Sequence, residues 1–302
     1  MYTKKFRWVK AKKSLGQNFL KSEPALRKII ETGEISSRDI VLEIGPGKGA
    51  LTSKLLATNC QVIAVEKDRE LFEFLKIKFE KEILSGQLKL VCEDILDFNL
   101  ESYKLKANNY KLIANIPYNI TGAILKKFLQ GDLSTPLKAR NQPEIIVLMV
   151  QKEVAKRIVA HDGKESILSI SVKAYGDPKM IMKVPARYFS PSPKVDSAVI
   201  SIKNISRKIF IENSQIVQSR TLHNLQFEEK FWEIIRAGFA HKRKKLSSNL
   251  KDFLKNKKDG GIASVKSLGN KRAEELTLND WIQLTKNTTP PNLPSSREEK
   301  IR

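Results

Sequence analysis

Asp39-Ile40-Val41-Leu42-Glu43-Ile44-Gly45-Pro46-Gly47-Lys48-Gly49 is an apolar run that ends on three alternating glycines, and residues 50–58 after it read as a helix. A buried strand, a glycine turn and a helix make a nucleotide-cradling unit, because glycines let the backbone come close to a ligand. Two features set this loop apart from the dinucleotide fingerprint. The third glycine of that fingerprint would fall at position 50, where the chain has Ala50. Glu43, just before Gly45 and Gly47, suits a cationic ligand better than a pyrophosphate, and Pro46 removes an amide donor that a phosphate would use.

Three further strands extend the pattern. Residues 61–65 read as a second strand ending at Glu66, which lies 21 residues after Gly45. An acid at that distance can accept both hydroxyls of a ribose, or can simply be a solvated charge at a strand end. Residues 68–82 read as a helix with Leu71, Phe72, Leu75 and Phe79 at core spacing. Residues 88–92 form a third strand followed by Glu93-Asp94, an acidic pair that can hold an exocyclic amine. Residues 111–114 form a fourth, which delivers Asn115-Ile116-Pro117-Tyr118. There the Asn amide oxygen and nearby carbonyls can accept hydrogen bonds from an amine, and the Tyr ring can stack on the flat base that carries it. Thus four successive strand ends bring Gly45, Glu66, Asp94 and Asn115 to one edge of an α/β sheet. That is the edge at which such sheets bind ligands. Residues 144–150 are uniformly apolar and read as a central fifth strand, and residues 198–203 as a last one.

The chain has 302 residues, 41% of them hydrophobic, which allows a real core and about two domains. Its net charge of +22 points to a polyanionic partner. The charge is clustered: residues 1–28 hold nine Lys and Arg against one acid, Glu23, and residues 236–258 hold nine against one, Asp252. Cys60 and Cys92 have no metal-ligand spacing and read as buried reduced thiols. The longest apolar run, residues 145–150, is too short for a bilayer, and the basic N-terminus has no apolar signal core. A cytoplasmic protein is the expectation.

Four segments are expected: a basic arm over residues 1–22, an α/β domain over 23–204, a helical domain over 205–287 and a disordered tail over 288–302. Residues 22–31 read as a helix capped by Ser22, with Pro24 in its first turn. Residues 151–160 and 166–175 read as helices, residues 205–224 as irregular, and residues 227 onward as helical again. Phe231, Ile234, Ile235 and Phe239 share one helix face, and His241-Lys242-Arg243-Lys244-Lys245 follow at once. Residues 280–284 would form the closing helix. In Arg187-Tyr188-Phe189-Ser190-Pro191-Ser192-Pro193 the prolines stiffen a loop that sets Phe189 at its mouth. Opposite Tyr118, such a ring would sandwich an extruded base; a buried core hydrophobe is the plainer reading.

The string Asn115-Ile116-Pro117-Tyr118-Asn119-Ile120-Thr121 resembles the ribosomal RNA adenine N6-dimethyltransferases. So do Gly16-Gln17-Asn18-Phe19-Leu20, Gln151-Lys152-Glu153-Val154-Ala155 with Arg157, and Phe189-Ser190-Pro191-Ser192-Pro193-Lys194-Val195-Asp196-Ser197. Arg272-Ala273-Glu274-Glu275-Leu276-Thr277 is similar to the family's C-terminal R-x-E-x-L-S motif. The resemblance runs from Lys12 to about Leu284. It departs at Glu165-Ser166, where the family often has Tyr-Gly.

This resemblance implies a Rossmann-like class I S-adenosylmethionine methyltransferase sheet with a small all-helical C-terminal domain. It implies dimethylation of two adjacent adenines in the 3′-terminal hairpin loop of small-subunit (16S) ribosomal RNA, coupled to maturation of that subunit. The donor, S-adenosylmethionine, would be bound by Asn18, Leu20, Glu43, Gly45, Gly47, Glu66, Asp94 (chosen over Glu93) and Asn115. Asn115, the Ile116 or Pro117 carbonyl, Tyr118 and Phe189 would act on the target. Lys12, Lys13, Arg157, Lys242, Arg243, Lys244 and Lys245 would contact RNA. A monomer with no metal, working on the immature small ribosomal subunit, is expected. Transfer needs no general base, in keeping with His161, His223 and His241 lying outside the motifs. The rivals are a macrolide-resistance type acting on 23S ribosomal RNA, and a non-catalytic RNA-binding assembly or transcription factor on the same scaffold. The helical-domain segments and the Pro-rich loop favour the first reading over the 23S type. Intact Asn115, Tyr118, Glu66 and Asp94 argue against a non-catalytic factor.

Overall fold

The computed structural model describes residues 10–131, 141–160, 163–214, 220–254 and 269–288. The expected tail from residue 289 and the first nine residues of the basic arm lie outside the described residues, as does His161. The chain divides into two compact units, residues 1–159 with 171–206, and residues 160–170 with 207–302.

The first unit is built on a seven-stranded sheet. Its strands are β2 (Ile40–Ile44), β3 (Gln61–Glu66), β4 (Leu88–Cys92), β5 (Lys111–Asn115), β6 (Ile146–Gln151), β7 (Asp177–Val184) and β9 (Ser197–Lys203), in the order β4-β3-β2-β5-β6-β9-β7. The first five are parallel; β9 is antiparallel to both β6 and β7. The chain runs outward from β2 to β4, then resumes at β5 on the other side of β2. The switch point therefore falls between β2 and β5. β6 is apolar and pairs on both sides, as its sequence requires.

β7 is an element the sequence reading did not set apart. It is an edge strand holding Pro178, Lys179 and Lys183, with a register shift between Met180 and Met182, so neither alternation nor an apolar run marks it. A further short ladder, β1 (Phe19–Leu20) with β8 (Phe189–Ser190), turns part of the expected N-terminal arm into ordered structure.

Helix α1 (Glu23–Thr32) starts as its sequence dictates: the Ser22 hydroxyl accepts from the Ala25 amide, and Pro24 sits in the first turn. Helix α2 (Ala50–Leu56) follows the glycine loop. The single helix expected over 68–82 is two, α3 (Arg69–Lys78) and α4 (Glu80–Leu84), broken at Phe79, whose backbone leaves the helical region. Leu71, Leu75 and Phe79 are buried, whereas Phe72 is half-buried under the Lys76 ammonium. Helices α5 (Thr121–Leu125) and α6 (Lys152–Ile158) follow β5 and β6. The core gathers Ile29, Val41, Leu55, Val62, Val147 and Val199 from strands and helices alike. Cys60 is buried, but Cys92 is exposed at the end of edge strand β4, so the expectation of two buried thiols fails there.

Helix α7 (Ile167–Lys173) opens with Ser166 and Ser169 exchanging hydrogen bonds between hydroxyls and amides. The second unit holds α8 (Lys208–Asn213), α9 (Arg220–Gly238), α10 (Leu246–Leu254) and α11 (Leu278–Thr288). The stretch expected to be irregular over 205–224 therefore contains α8 and the start of α9. Phe210, Phe231 and Trp232 pack ring edge to ring face, and Phe239 stacks on the buried Trp281. A β-carbon at Gly238 would stand 2.4 Å from the Trp281 ring, so only glycine lets α9 approach α11 there. Thr277 and Asp280 cap α11 reciprocally, which ends the matched Arg272-to-Thr277 string on a helix start. Among the described residues no helix is long and apolar enough to cross a membrane, and no group of three His, Cys, Asp or Glu is placed to hold a metal ion.

Candidate active site

A cavity of about 420 Å³ lies at the carboxyl edge of the sheet, across the switch point. That size is ordinary for a small-molecule site. Gly45, Glu66, Asp94 and Asn115, from the ends of four strands, all line it.

The glycine loop is held from β3. One Glu66 carboxylate oxygen accepts the Gly47 amide at 3.1 Å and the other accepts the Asp68 amide at 2.9 Å. Each oxygen keeps lone-pair capacity for a ligand hydroxyl. Burial raises the Glu66 pKa, against the pull of those two amides. Gly47 has φ +60°, and a β-carbon there would come within 3.0 Å of the Phe19 ring. Glycine is thus needed for its torsion and for the close approach of the arm.

Glu43 is a fully buried acid on the cavity wall. It is 1% exposed, and its Oε2 has no hydrogen-bond partner among the described residues. Burial and the nearby Glu66 carboxylate push its pKa up to about 8, while Thr52 and Lys78 act in the opposite sense. Lys78 does not reach it; its ammonium bonds the Lys48 carbonyl at 2.8 Å. A buried acid with a bare oxygen on a cavity wall fits a ligand that brings its own positive charge.

Asp94 is only partly available. Lys67 binds its Oδ2 at 2.6 Å and the Leu96 amide binds Oδ1 at 3.0 Å, and the Lys67 contact holds its pKa down. Glu93 lines the same cavity.

The arm from Lys12 to Leu20 forms another wall. The Asp68 carboxylate, which also caps α3, accepts the Lys12 ammonium at 2.7 Å and the Gln17 side-chain amide at 2.9 Å. Gly16, in the left-handed region, lets the chain turn against Pro117 and Asn119. Asn18 offers its carbonyl to the Asn115 side-chain NH2 at 3.2 Å, and Leu20 is buried.

At the end of β5 the Asn115 NH2 is therefore occupied by the arm. Its Oδ1 takes no hydrogen bond from any described residue and stays available as an acceptor. The Pro117 carbonyl accepts the Ile120 amide at 3.3 Å, which closes the turn. Tyr118 is fixed at its far end, where its hydroxyl and that of Ser197 lie 2.5 Å apart. Burial raises the Tyr118 pKa, so the ring stays a neutral phenol.

The family model for ribosomal RNA adenine dimethylase matches residues 8–289. The chain belongs to that family. Two relatives called ribosomal RNA small subunit methyltransferase A support the assignment. The one from Dehalococcoides mccartyi is 38% identical over 279 residues, 91% of this chain and 88% of its own. The one from Francisella tularensis subsp. novicida is 38% identical over 91% of this chain and 96% of its own. A dimethyladenosine transferase from Plasmodium falciparum superposes with a TM-score of 0.69 at 26% identity, covering 88% of this chain and 95% of that one. The 23S rRNA methyltransferase ErmE has a TM-score of 0.65 at 23% identity over 90% and 99%, and so shares the fold. Family membership implies S-adenosylmethionine as methyl donor, and the unpartnered Glu43 oxygen beside the glycine loop is compatible with that cation.

Against the family pattern, Phe189 departs from its expected place. It is 3% exposed, sits in the core cluster with Leu20, Met149, Val184 and Val199, and does not line the cavity. In β8, Phe189 pairs with Leu20, and the next residue, Ser190, lines the cavity. In this structure Phe189 is a core residue, and the rings that line the cavity are Phe19 and Tyr118.

Among the basic residues, Lys12 is engaged by Asp68 and Glu70. Lys13 and Arg157 are exposed. Lys242, Arg243, Lys244 and Lys245 are exposed in the turn between α9 and α10, where the Lys245 ammonium also bonds the Asn270 side chain at 2.7 Å. Sequence reasoning missed Asp68 and Gln17 as the tie of the arm, and Ser197 as the anchor of Tyr118. Ser197 could have been suspected, since it ends the matched Phe189-to-Ser197 string. Asp68 read only as a helix start.

Proposed function

We propose that the protein dimethylates adenine N6 in small-subunit ribosomal RNA with S-adenosylmethionine, at the two adjacent adenines of the 3′-terminal 16S hairpin loop, as that subunit matures. The observation that carries this is the free Asn115 Oδ1 beside Tyr118, in the cavity that also holds the glycine loop and Glu43. The names of the small-subunit relatives supply the RNA class.

When bound, S-adenosylmethionine supplies a methyl carbon already activated by its sulfonium. Glu43, Glu66, Asp94, Asn18, Leu20 and the backbone at Gly45 and Gly47 hold it in place. Tyr118 stacks on the extruded adenine, worth ~1–3 kcal/mol, which helps offset unstacking. Asn115 Oδ1 accepts an N6 hydrogen, draws the amine toward tetrahedral geometry and stabilises the positive charge that builds on it. Orientation of the two reactants can contribute roughly 7–11 kcal/mol at best. The methylated nitrogen then sheds a proton to solvent, so no side chain need act as base. A second transfer requires the pocket to readmit the monomethylated base. Lys13, Arg157 and Lys242 to Lys245 contact RNA phosphates. The protein works as a cytoplasmic monomer without a metal.

Transfer of labelled methyl groups to unmethylated small-subunit particles, with the modified fragment mapped, tests the reading. Label in two adjacent adenines of the 3′-terminal hairpin supports it. Label confined to large-subunit RNA would assign the chain to the macrolide-resistance type, and RNA binding without transfer would make it a non-catalytic factor.

A further inference from the structure

Loop 187–197 is tied to the target pocket at both ends. Ser190 lines the cavity and Ser197 meets the Tyr118 hydroxyl. The loop is braced between those points: Asp196 accepts the Ala186 amide at 3.2 Å, and the Ser192 hydroxyl donates to the Ala186 carbonyl at 2.9 Å. The Tyr188 carbonyl accepts the Lys21 amide at 2.8 Å, and Lys21 is itself a cavity residue. On this fixed rim Tyr188 is 39% exposed and Val195 46% exposed, both large and apolar for such positions. The Arg187 guanidinium stands 5.3 Å from the Tyr188 ring centre. Arg187, Lys194 and Lys21 are exposed around them.

An exposed ring covered by a guanidinium, with basic neighbours on a rigid loop, has the chemistry of a single-strand stacking platform. Among the described residues Arg187 stands against this ring, which stays exposed, whereas its neighbour Phe189 packs in the core. We propose that Tyr188, with Arg187, binds the nucleotide next to the target adenine: the base stacks on the Tyr188 ring and Arg187 contacts its phosphate. The inference rests on the RNA-methylating reading and adds a flanking subsite to it. The occupant is RNA rather than protein because the rim is basic, as is the chain, at +22.

The test uses the full chain and a small-subunit RNA hairpin carrying 2-aminopurine beside the target adenine. Wild-type protein should quench that fluorophore on binding. Tyr188→Ala should lose the quench and bind the hairpin about tenfold more weakly, whereas Tyr188→Phe keeps both, and donor affinity by calorimetry stays the same in all three. Wild-type quenching and affinity in Tyr188→Ala would overturn the proposal while leaving methylation of the target adenine intact. A defect seen with assembled particles but not with naked hairpin would overturn it too, in favour of a protein neighbour. Failure of wild-type protein to transfer methyl to any RNA would instead bring down the underlying reading, and the subsite with it.

Discussion

Asp68 and Lys12 are joined at 2.7 Å across 56 residues of sequence, and that ion pair fastens the arm over the cavity. The Lys12 pKa is raised by the same contact and the Asp68 pKa held down, although burial alone would raise Asp68. Asp68→Asn keeps a cap for α3 but loses the charge that holds the arm. It should weaken donor binding several-fold with little change in turnover at saturation, and expose the Lys12–Lys13 bonds to trypsin. Asp68→Ala should cost about 1 kcal/mol more in thermal stability through the lost cap. Donor affinity in Asp68→Asn equal to wild type would show that the arm needs no latch.

Glu66→Ala removes the acceptor of both the Gly47 and the Asp68 amides. Each orphaned amide costs about 1–3 kcal/mol if it finds no water. Calorimetry should show donor binding weakened at least tenfold, together with a lower melting temperature. An unchanged donor affinity would take Glu66 out of the ribose site.

Asn115→Ala deletes the free acceptor at the target. Turnover should fall by roughly 10²–10³-fold, the scale of losing one preorganised transition-state contact. Donor affinity should change far less, because the lost bond to the Asn18 carbonyl is one contact among many on that wall. Equal losses in both would mean that Asn115 serves the arm rather than the reaction.

Donor binding should depend on pH through Glu43. Its folded-state pKa, about 8, lies above the ordinary carboxylate value, so the folded protein holds a proton that the unfolded chain has lost. Stability in the absence of donor should therefore fall as pH rises between the ordinary value and about 8. A bound cation favours the carboxylate, so binding near pH 7 should release up to about one proton. Calorimetry in buffers of different ionisation enthalpy reads that proton, and Glu43→Gln should abolish its release. A wild-type protein that releases none would leave Glu43 as a neutral acid with no link to the donor.

The exposed cations Lys242, Arg243, Lys244 and Lys245 should carry part of the RNA affinity. Replacing two of them by Glu should lower the salt slope of RNA binding by about two while leaving donor affinity alone. A slope equal to wild type would reduce the cluster to solvated charge.

How far the sequence could be read depended on how local each signal was. The five parallel strands and the ligand candidates at four of their ends were legible, because apolar runs and glycine turns are local patterns. Edge strand β7 was not, since its charged and kinked sequence has no periodicity to detect. Phe189 was placed at the pocket from its motif, yet it packs in the core with Leu20, Met149 and Val199, and contacts over such distances leave no local mark. The tie from Asp68 to Lys12 and Gln17 was invisible for the same reason. Helices α8 and α9 begin inside a polar stretch because their buried residues pack within the helical unit, not because of propensity.

The hydroxyl contact between Tyr118 and Ser197 spans 79 residues. A chain leaving the exit tunnel has made its glycine loop, Glu66 and Asn115 long before the residue that steadies the tyrosine is synthesised. The glycine loop, Glu66 and Asn115 thus emerge well ahead of Ser197, whereas Leu20 must wait for Phe189 before its short ladder can close. The tyrosine gains its anchor only when β9 has been threaded back between β6 and β7.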